Sequence, residues 1–408
     1  MKEIAGGVCA AKGFTANGVH CGIRKNKSKK DLALIFSEKR AAAAAVYTQN
    51  LVKGAPITVT RQNLADGYAQ AMICNSGNAN TCNANGIEIA EETCALIGAQ
   101  LGIPASDIIV ASTGVIGQPL DIAPIAAGIP PLVSGLGDYS LAAAEGIMTT
   151  DTKVKEVAVS FELGGVECHL GAIAKGSGMI HPNMATMLIF VTTDAAITPE
   201  MLQKALSNDV KTSFNMISVD GDTSTNDMVS VLANGMAGNA EISASGAEYD
   251  TFCEALHHVT VKLSRMIAKD GEGATKLIEC TVEGAKTQQD AVTISKAVIA
   301  SSLVKAAMFG ADANCGRVMC AIGYSGAQVD VSRIDVSRID VSYISAAGSI
   351  LVCEAGSGLS FDEDLAKAIL TEDEITVLVS LHDGDASATA WGCDLTYDYV
   401  KINGDYRT

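Results

Sequence analysis

Hydrophobic positions change their period along this chain. Residues 32–36 (LALIF), 69–74 and 107–111 are short apolar runs between turn-forming residues, and each predicts a buried strand. Residues 13–23 read as turns around a first short strand, and residues 56–60 (PITVT) alternate in a way that predicts another. The run at 69–74 leads into Asn75-Ser76-Gly77-Asn78-Ala79-Asn80, a cluster that predicts a turn. Residues 86–101 then place Ile87, Ala90, Cys94 and Ile97 at helical spacing. Strand, loop and helix thus alternate through the first third, the pattern of an α/β protein.

The later pattern is similar. Residues 187–191 (MLIFV) predict a buried strand, and Thr198-Pro199-Glu200 opens a helix with Thr198 as N-cap and Pro199 in the first helical position. Helices are expected at 246–269, 291–309 and 361–370, with strands at 275–284 and 375–381. Residues 218–227 (SVDGDTSTND) look at first like a calcium loop, but the twelfth position from Asp220 is Val231 rather than Glu, so the segment reads as a polar loop and a candidate site lining. DVSRI recurs at period five within 330–340, which fits neither helix nor strand and suggests a duplication in a surface loop. At 408 residues the chain exceeds one core. A boundary is expected at Ala285-Lys286-Thr287, separating residues 1–284 from a smaller α/β domain at 285–408.

Composition narrows the function. A net charge of −17 disfavours nucleic acid, whose phosphates need a basic face. Twelve cysteines occur without CxxC spacing and no His lies four residues from another, so no metal site is expected and the thiols read as reduced and cytosolic. The adjacent His257 and His258 point to different sides of a helix. The N-terminus lacks an apolar signal region. No uninterrupted run reaches about 18 apolar residues, the richest stretch being broken by Pro124, Pro130 and Pro131. A cytoplasmic protein with small ligands, no cofactor and no membrane span is the expectation.

Candidate chemistry centres on residues 175–188, KGSGMIHPNMATML. Gly176, Gly178 and Pro182 exclude regular structure before Pro182. Thr186 stands where this loop meets the apolar run. A threonine hydroxyl attacks well only beside a base, and one such base is the α-amine of the same residue, freed by a cut at Ala185-Thr186. An α-amine titrates near pH 7.7–8.0, roughly where it needs to be neutral. The fourteen residues by themselves favour an ordinary threonine opening a strand. Ser112-Thr113-Gly114 ends a predicted strand on small residues whose N–H groups could hold an oxyanion, although most such turns only turn. Thr149-Thr150-Asp151-Thr152-Lys153 reads unaided as a capping cluster. Lys175 fits either a solvated loop charge or a partner for a carboxylate. Glu272, between two glycines, fits an exposed turn or an ammonium site. Ser302 and Lys305 have SxxK spacing but lack the companion motifs of that chemistry.

The segment KGSGMIHPNMATML resembles the self-cleavage segment of the ornithine acetyltransferase family, also called glutamate N-acetyltransferases, of arginine biosynthesis. CNSGNAN (74–80), ASTGVIG (111–117), MTTDT (148–152), FGADANCGR (309–317), ASATAWGCDLT (386–396) and YVKINGDYRT (399–408) follow in family order to the last residue. Cys315 departs from the pattern, where tryptophan is usual.

The resemblance implies a layered helix–sheet–sheet–helix core like that of N-terminal-nucleophile hydrolases. It implies self-cleavage between Ala185 and Thr186 into chains 1–185 and 186–408, assembled as α2β2. Thr186 would then be the nucleophile, Thr113 and Gly114 the oxyanion pair, and Thr152, Lys175, Thr186, Glu272, Asn403 and Thr408 the substrate contacts. The implied reaction moves acetyl from N2-acetylornithine to glutamate through acetyl-Thr186, with acetyl-CoA as a possible second donor. Two rival expectations are a self-processed amidase or aminopeptidase with water as acceptor, and a non-catalytic ligand-sensing homologue that never matures.

Overall fold

The computed structural model describes residues 1–181, 187–327 and 338–405. Thr186, Ala185, Thr408 and most of the DVSRI repeat lie outside them. In chain order the strands are β1 (Lys2–Ile4), β2 (Phe14–Val19), β3 (Leu32–Tyr47), β4 (Tyr68–Asn78), β5 (Ile108–Val115), β6 (Lys155–Leu163), β7 (Val166–Lys175), β8 (Leu188–Thr193), β9 (Ile217–Ser218), β10 (Met228–Ala233), β11 (Leu277–Ala285), β12 (Asp340–Ser345), β13 (Gly348–Glu354), β14 (Ser357–Gly358), β15 (Glu374–Ser380) and β16 (Ala386–Cys393). The helices are α1 (Ala55–Asn63), α2 (Gly86–Leu101), α3 (Ile122–Ser134), α4 (Ser140–Ile147), α5 (Pro199–Asp209), α6 (Ala247–Lys269), α7 (Gln288–Ala300), α8 (Ser302–Phe309), α9 (Cys315–Gly323), α10 (Glu363–Thr371) and α11 (Tyr397–Gly404).

The architecture is α/β, with one sheet in each of two compact units. Unit one comprises residues 1–176, 182–215 and 223–263, and unit two comprises 177–181, 216–222 and 264–408. The division falls inside α6, not at Ala285–Thr287 where the sequence placed a boundary. Strand β11 is an interior strand of the second sheet, between β15 and β16, and so belongs with the residues after it.

In the first unit the strand order is β1-β6-β7-β8-β10-β3-β4-β5, with β2 also on β3. Strand β3 is sixteen residues long and its pairing with β4 shifts register between Phe36 and Ala41. Its first half pairs with β2 and its second half with β10. Alternate residues feed two cores. Ala33, Ile35, Ile109 and Ala111 join one, while Leu32, Leu34, Ile108 and Val110 join the other beneath α2 and α3. Both faces of these strands are therefore covered, which is why their sequences read as continuous apolar runs.

Residues 56–60 form helix rather than strand. Gly54 precedes α1, proline occupies an early helical position, and the buried residues Pro56, Ile57, Val59 and Thr60 lie on one helical face. Thr60 turns inward, donating to the Val110 carbonyl at 2.7 Å and accepting from the Val110 N–H at 2.9 Å. The Asn75–Asn78 segment, expected as a turn, continues β4, and Ser112-Thr113-Gly114 likewise continues β5. The helix expected over 291–309 is two helices, broken at Ser301, whose side chain caps α8 by accepting from the Val304 N–H. Thr198 caps α5 as expected.

The second unit has strand order β14-β13-β12-β15-β11-β16-β9. Strand β11 runs parallel to β15 and antiparallel to β16. Buried Ala291, Ile294, Val298 and Ile299 give α7 its packing face. Among the described residues no single helix is long and apolar enough to cross a membrane.

Candidate active site

Thr113 and Gly114 lie near the end of β5, opposite Ser76 and Gly77 of β4. Gly114 has φ +131°, and a Cβ there would stand 2.4 Å from the Gly77 carbonyl carbon, so the close approach of the two backbones requires glycine. Asn75 and Ser112 lock the same place, Ser112 Oγ donating to Asn75 Oδ1 at 2.5 Å. The CNSGNAN segment is therefore structural support for Thr113-Gly114. Its last residues form the turn: Asn80, at φ +47°, donates from its side chain to the Gly86 carbonyl.

Asn226 joins this strand end to the polar loop before β10. Its Nδ2 donates to the carbonyls of Ala79 (2.6 Å) and Ser112 (2.9 Å), while its Oδ1 accepts from Thr81 Oγ1 at 2.5 Å. Two residues on, the Met228 N–H donates to the Met187 carbonyl at 3.0 Å, and β10 runs parallel to β8 from Met228↔Leu188. Lys175 of β7 pairs with the same Leu188. Residue 187, which directly follows Thr186, is thus held beside a segment that also grips the Thr113-Gly114 strand.

Lys175 is 8% exposed, so the solvated-charge reading does not describe it. Nearby, Asp151 accepts from Lys155 Nζ (2.7 Å), the Gly176 N–H (2.7 Å) and the Thr149 N–H (3.0 Å). Burial by itself raises the Asp151 carboxyl, but the ammoniums of Lys155 and Lys175 and these donors outweigh it and hold the group well below the usual carboxylate range. Asp151 thereby ties the MTTDT segment to Gly176. Thr152, the next residue, is exposed.

Glu272 and Asn403 meet within the second unit, Asn403 Nδ2 donating to Glu272 Oε2 at 2.8 Å. Glu272 is 7% exposed, not an exposed turn residue. Its N–H donates to the Ser177 carbonyl at 2.9 Å, and a Cβ on Gly178 would fall 2.3 Å from its Cδ, so the second glycine of the KGSG segment makes room for this carboxylate. Asp220 accepts from the Met179 and Ile180 N–H groups, and His181 Nδ1 lies 3.0 Å from Ser218 Oγ. Burial, and next the Lys296 ammonium, push His181 down. His257 and His258 have separate carboxylate partners, Asp209 and Glu3. Among the described residues no group of three or more His, Cys, Asp or Glu is placed to hold a metal ion.

Sequence reasoning passed over Asn226 as a single residue, and over Asp151 and Asp227. All three sat inside segments already marked as polar, SVDGDTSTND and MTTDT, and only their burial and hydrogen bonding distinguish them from their neighbours.

The chain is similar to known proteins along nearly its whole length. The sequence pattern of the ArgJ family matches residues 15–408. The arginine biosynthesis bifunctional protein ArgJ of Symbiobacterium thermophilum is 52% identical over 411 residues, covering 100% of both chains. The protein of the same name from Bacillus subtilis is 47% identical, covering 100% of this chain and 98% of its own. A crystal structure of the Bacillus halodurans arginine biosynthesis bifunctional protein ArgJ is 46% identical, with a TM-score of 0.49, over 53% of this chain and 97% of that one. A structure of Mycobacterium tuberculosis ornithine acetyltransferase complexed with ornithine is 36% identical, with a TM-score of 0.41, over 44% of this chain and 96% of that one. The chain belongs to the ArgJ family.

Proposed function

We propose that this chain is an acetyltransferase of arginine biosynthesis that moves acetyl from N2-acetylornithine to glutamate through an acetyl-Thr186 intermediate. The chain cuts itself between Ala185 and Thr186, giving parts of 185 and 223 residues that stay together, as an α2β2 assembly in the cytoplasm. The freed α-amine of Thr186 takes the proton of its own hydroxyl, which attacks the acetyl carbonyl. Thr113 and Gly114 stabilise the oxyanion. Ornithine departs, glutamate enters, and its amine takes the acetyl group. The observation that carries this reading is the pair of links from residues 226–228: one to the carbonyl before Thr113, the other to the residue after Thr186.

Lys175 suits the α-carboxylate that both amino acids share, since a buried ammonium pairs strongly with an anion. Glu272 suits a substrate ammonium, with Asn403 orienting it. Thr152 and Thr408 complete the contacts. The word bifunctional in the relatives' names supports acetyl-CoA as a second donor. Incubation with N2-acetylornithine and glutamate tests the reading. N-acetylglutamate and ornithine in equal amounts are expected; free acetate with no N-acetylglutamate would overturn transfer in favour of hydrolysis.

A further inference from the structure

Residues 21–24, in the loop between β2 and β3, pack against the strand end that carries Gly77. Fully buried Asp31 gathers this loop. Its Oδ1 accepts from the Cys21 N–H at 2.6 Å, and its Oδ2 accepts from the Gly22 and Arg24 N–H groups at 3.2 and 2.9 Å. The Asp31 carbonyl accepts from the Ser76 N–H at 2.9 Å, so the loop is fixed to the residue before Gly77. Gly77 has φ +101°, and a Cβ there would fall 2.9 Å from Arg24 Cγ and 3.6 Å from Arg24 Nε. The Arg24 side chain therefore lies directly over this glycine, the same one that Gly114 meets across the β4–β5 ladder. Further out, the Arg24 guanidinium donates to the Met148 carbonyl. Met148 heads the MTTDT segment, and the Gly146 carbonyl just before it accepts from Ser76 Oγ at 2.7 Å. Burial pushes the Cys74 thiol up to about 12, and the Lys175 and Arg24 charges both pull against it, so the two cations act on one strand end.

We propose that Arg24 is a positioning residue for acetyl transfer: its stem seats Gly77, against which the Gly114 backbone rests, and its guanidinium fixes the Met148 carbonyl at the head of the segment that carries Thr152. A backbone N–H stabilises an oxyanion only when it stands at the right distance from the developing charge. Gly77 and Gly114 permit the close approach that sets this distance, but glycine gives the backbone freedom rather than rigidity. A neighbouring side chain has to remove that freedom, and the half-buried Arg24 is in place to do so. Its planar fork is pre-organised, so little is lost in gripping a carbonyl, and a charged donor bonds about twice as strongly as a neutral one.

This inference rests on the reading of Thr113 and Gly114 as the oxyanion pair. Its test counts active sites as well as rates. The wild type and Arg24→Met, which keeps a stem over Gly77 but loses the donors, are mixed with saturating N2-acetylornithine in the absence of glutamate, and ornithine release is followed. In R24M the burst should keep the wild-type amplitude per folded chain while its rate falls by about tenfold to a hundredfold, the cost of a displacement of about 1 Å at a reacting centre. Arg24→Lys, with one ammonium in place of the fork, should be slowed by about three- to tenfold. An R24M burst at a rate within threefold of the wild type's, whatever its amplitude, would assign Arg24 to stability alone and overturn the proposal, leaving acetyl transfer standing. A wild type that releases no ornithine would overturn the acetyl-transfer reading and this inference with it. Should R24M fail to fold or to take up acetyl, R24K decides: a burst rate equal to the wild type's would overturn the assignment.

Discussion

Two aspartates in the same unit are almost equally buried and are treated in opposite ways. Asp151 has three hydrogen-bond donors and two neighbouring ammoniums, and it is held ionised. Asp227 has an oxygen without a partner among the described residues and is pushed toward its neutral form. Burial costs a carboxylate about the same in both places, so the donors decide. The first arrangement stabilises a charge and ties the segment that carries Thr152 to Gly176, at the end of β7 just after Lys175. The second leaves a buried carboxyl with too few donors to hold its charge, so the neutral form is favoured.

The largest effect should come from breaking the satisfied site. Asp151→Asn removes the carboxylate to which the Lys155 ammonium, itself 1% exposed, donates at 2.7 Å, and removing one member of such a buried pair typically costs about 3–5 kcal/mol. Urea unfolding should show that loss, and adding Lys155→Met to the same chain should recover most of it. A single variant as stable as the wild type would mean that Asp151 is not the anchor of this region.

A smaller and opposite effect separates Asp227. A carboxyl lowered on folding adds stability above its unfolded value, near pH 3.9, and loses it as pH falls through the folded value. Asp151 follows that rule, and its contribution should fade below about pH 4. A carboxyl raised on folding does the reverse. Between about pH 3.9 and its folded value the native state binds the extra proton, and stability falls by up to about 1.4 kcal/mol per pH unit. Asp227→Asn should therefore match the wild type near pH 3 and unfold at higher urea than the wild type at pH 7. Parallel pH curves for the two proteins would put Asp227 in its ionised form and remove the contrast.

Much of the frame was legible because both faces of the central strands are covered, leaving apolar runs that period alone identifies. The helix at 86–101 and the cap at Thr198 were readable for similar local reasons. Where reading failed, packing had overruled local pattern. PITVT alternates like a strand, yet α1 forms because Pro56, Ile57, Val59 and Thr60 share one buried helical face and Thr60 bonds into β5. Residues 75–78 have turn chemistry, but β4 absorbs them, and the asparagine side chains bind the backbone nearby. The candidate site divided in the same way. Thr113, Gly114, Lys175 and Glu272 were named through motifs, whereas Asp227 ends a loop already rich in acids and hydroxyls. Only burial and an unsatisfied oxygen distinguish it, and neither is written in the local sequence.

The central claim is that a cut before Thr186 creates the nucleophile. Mass spectrometry of the purified protein, quenched during turnover with N2-acetylornithine in the absence of glutamate, tests it most directly. The account predicts two polypeptides of 185 and 223 residues, with one acetyl group on Thr186 at the start of the longer. An active, unbroken chain, or an acetyl group trapped on any other residue, would contradict it.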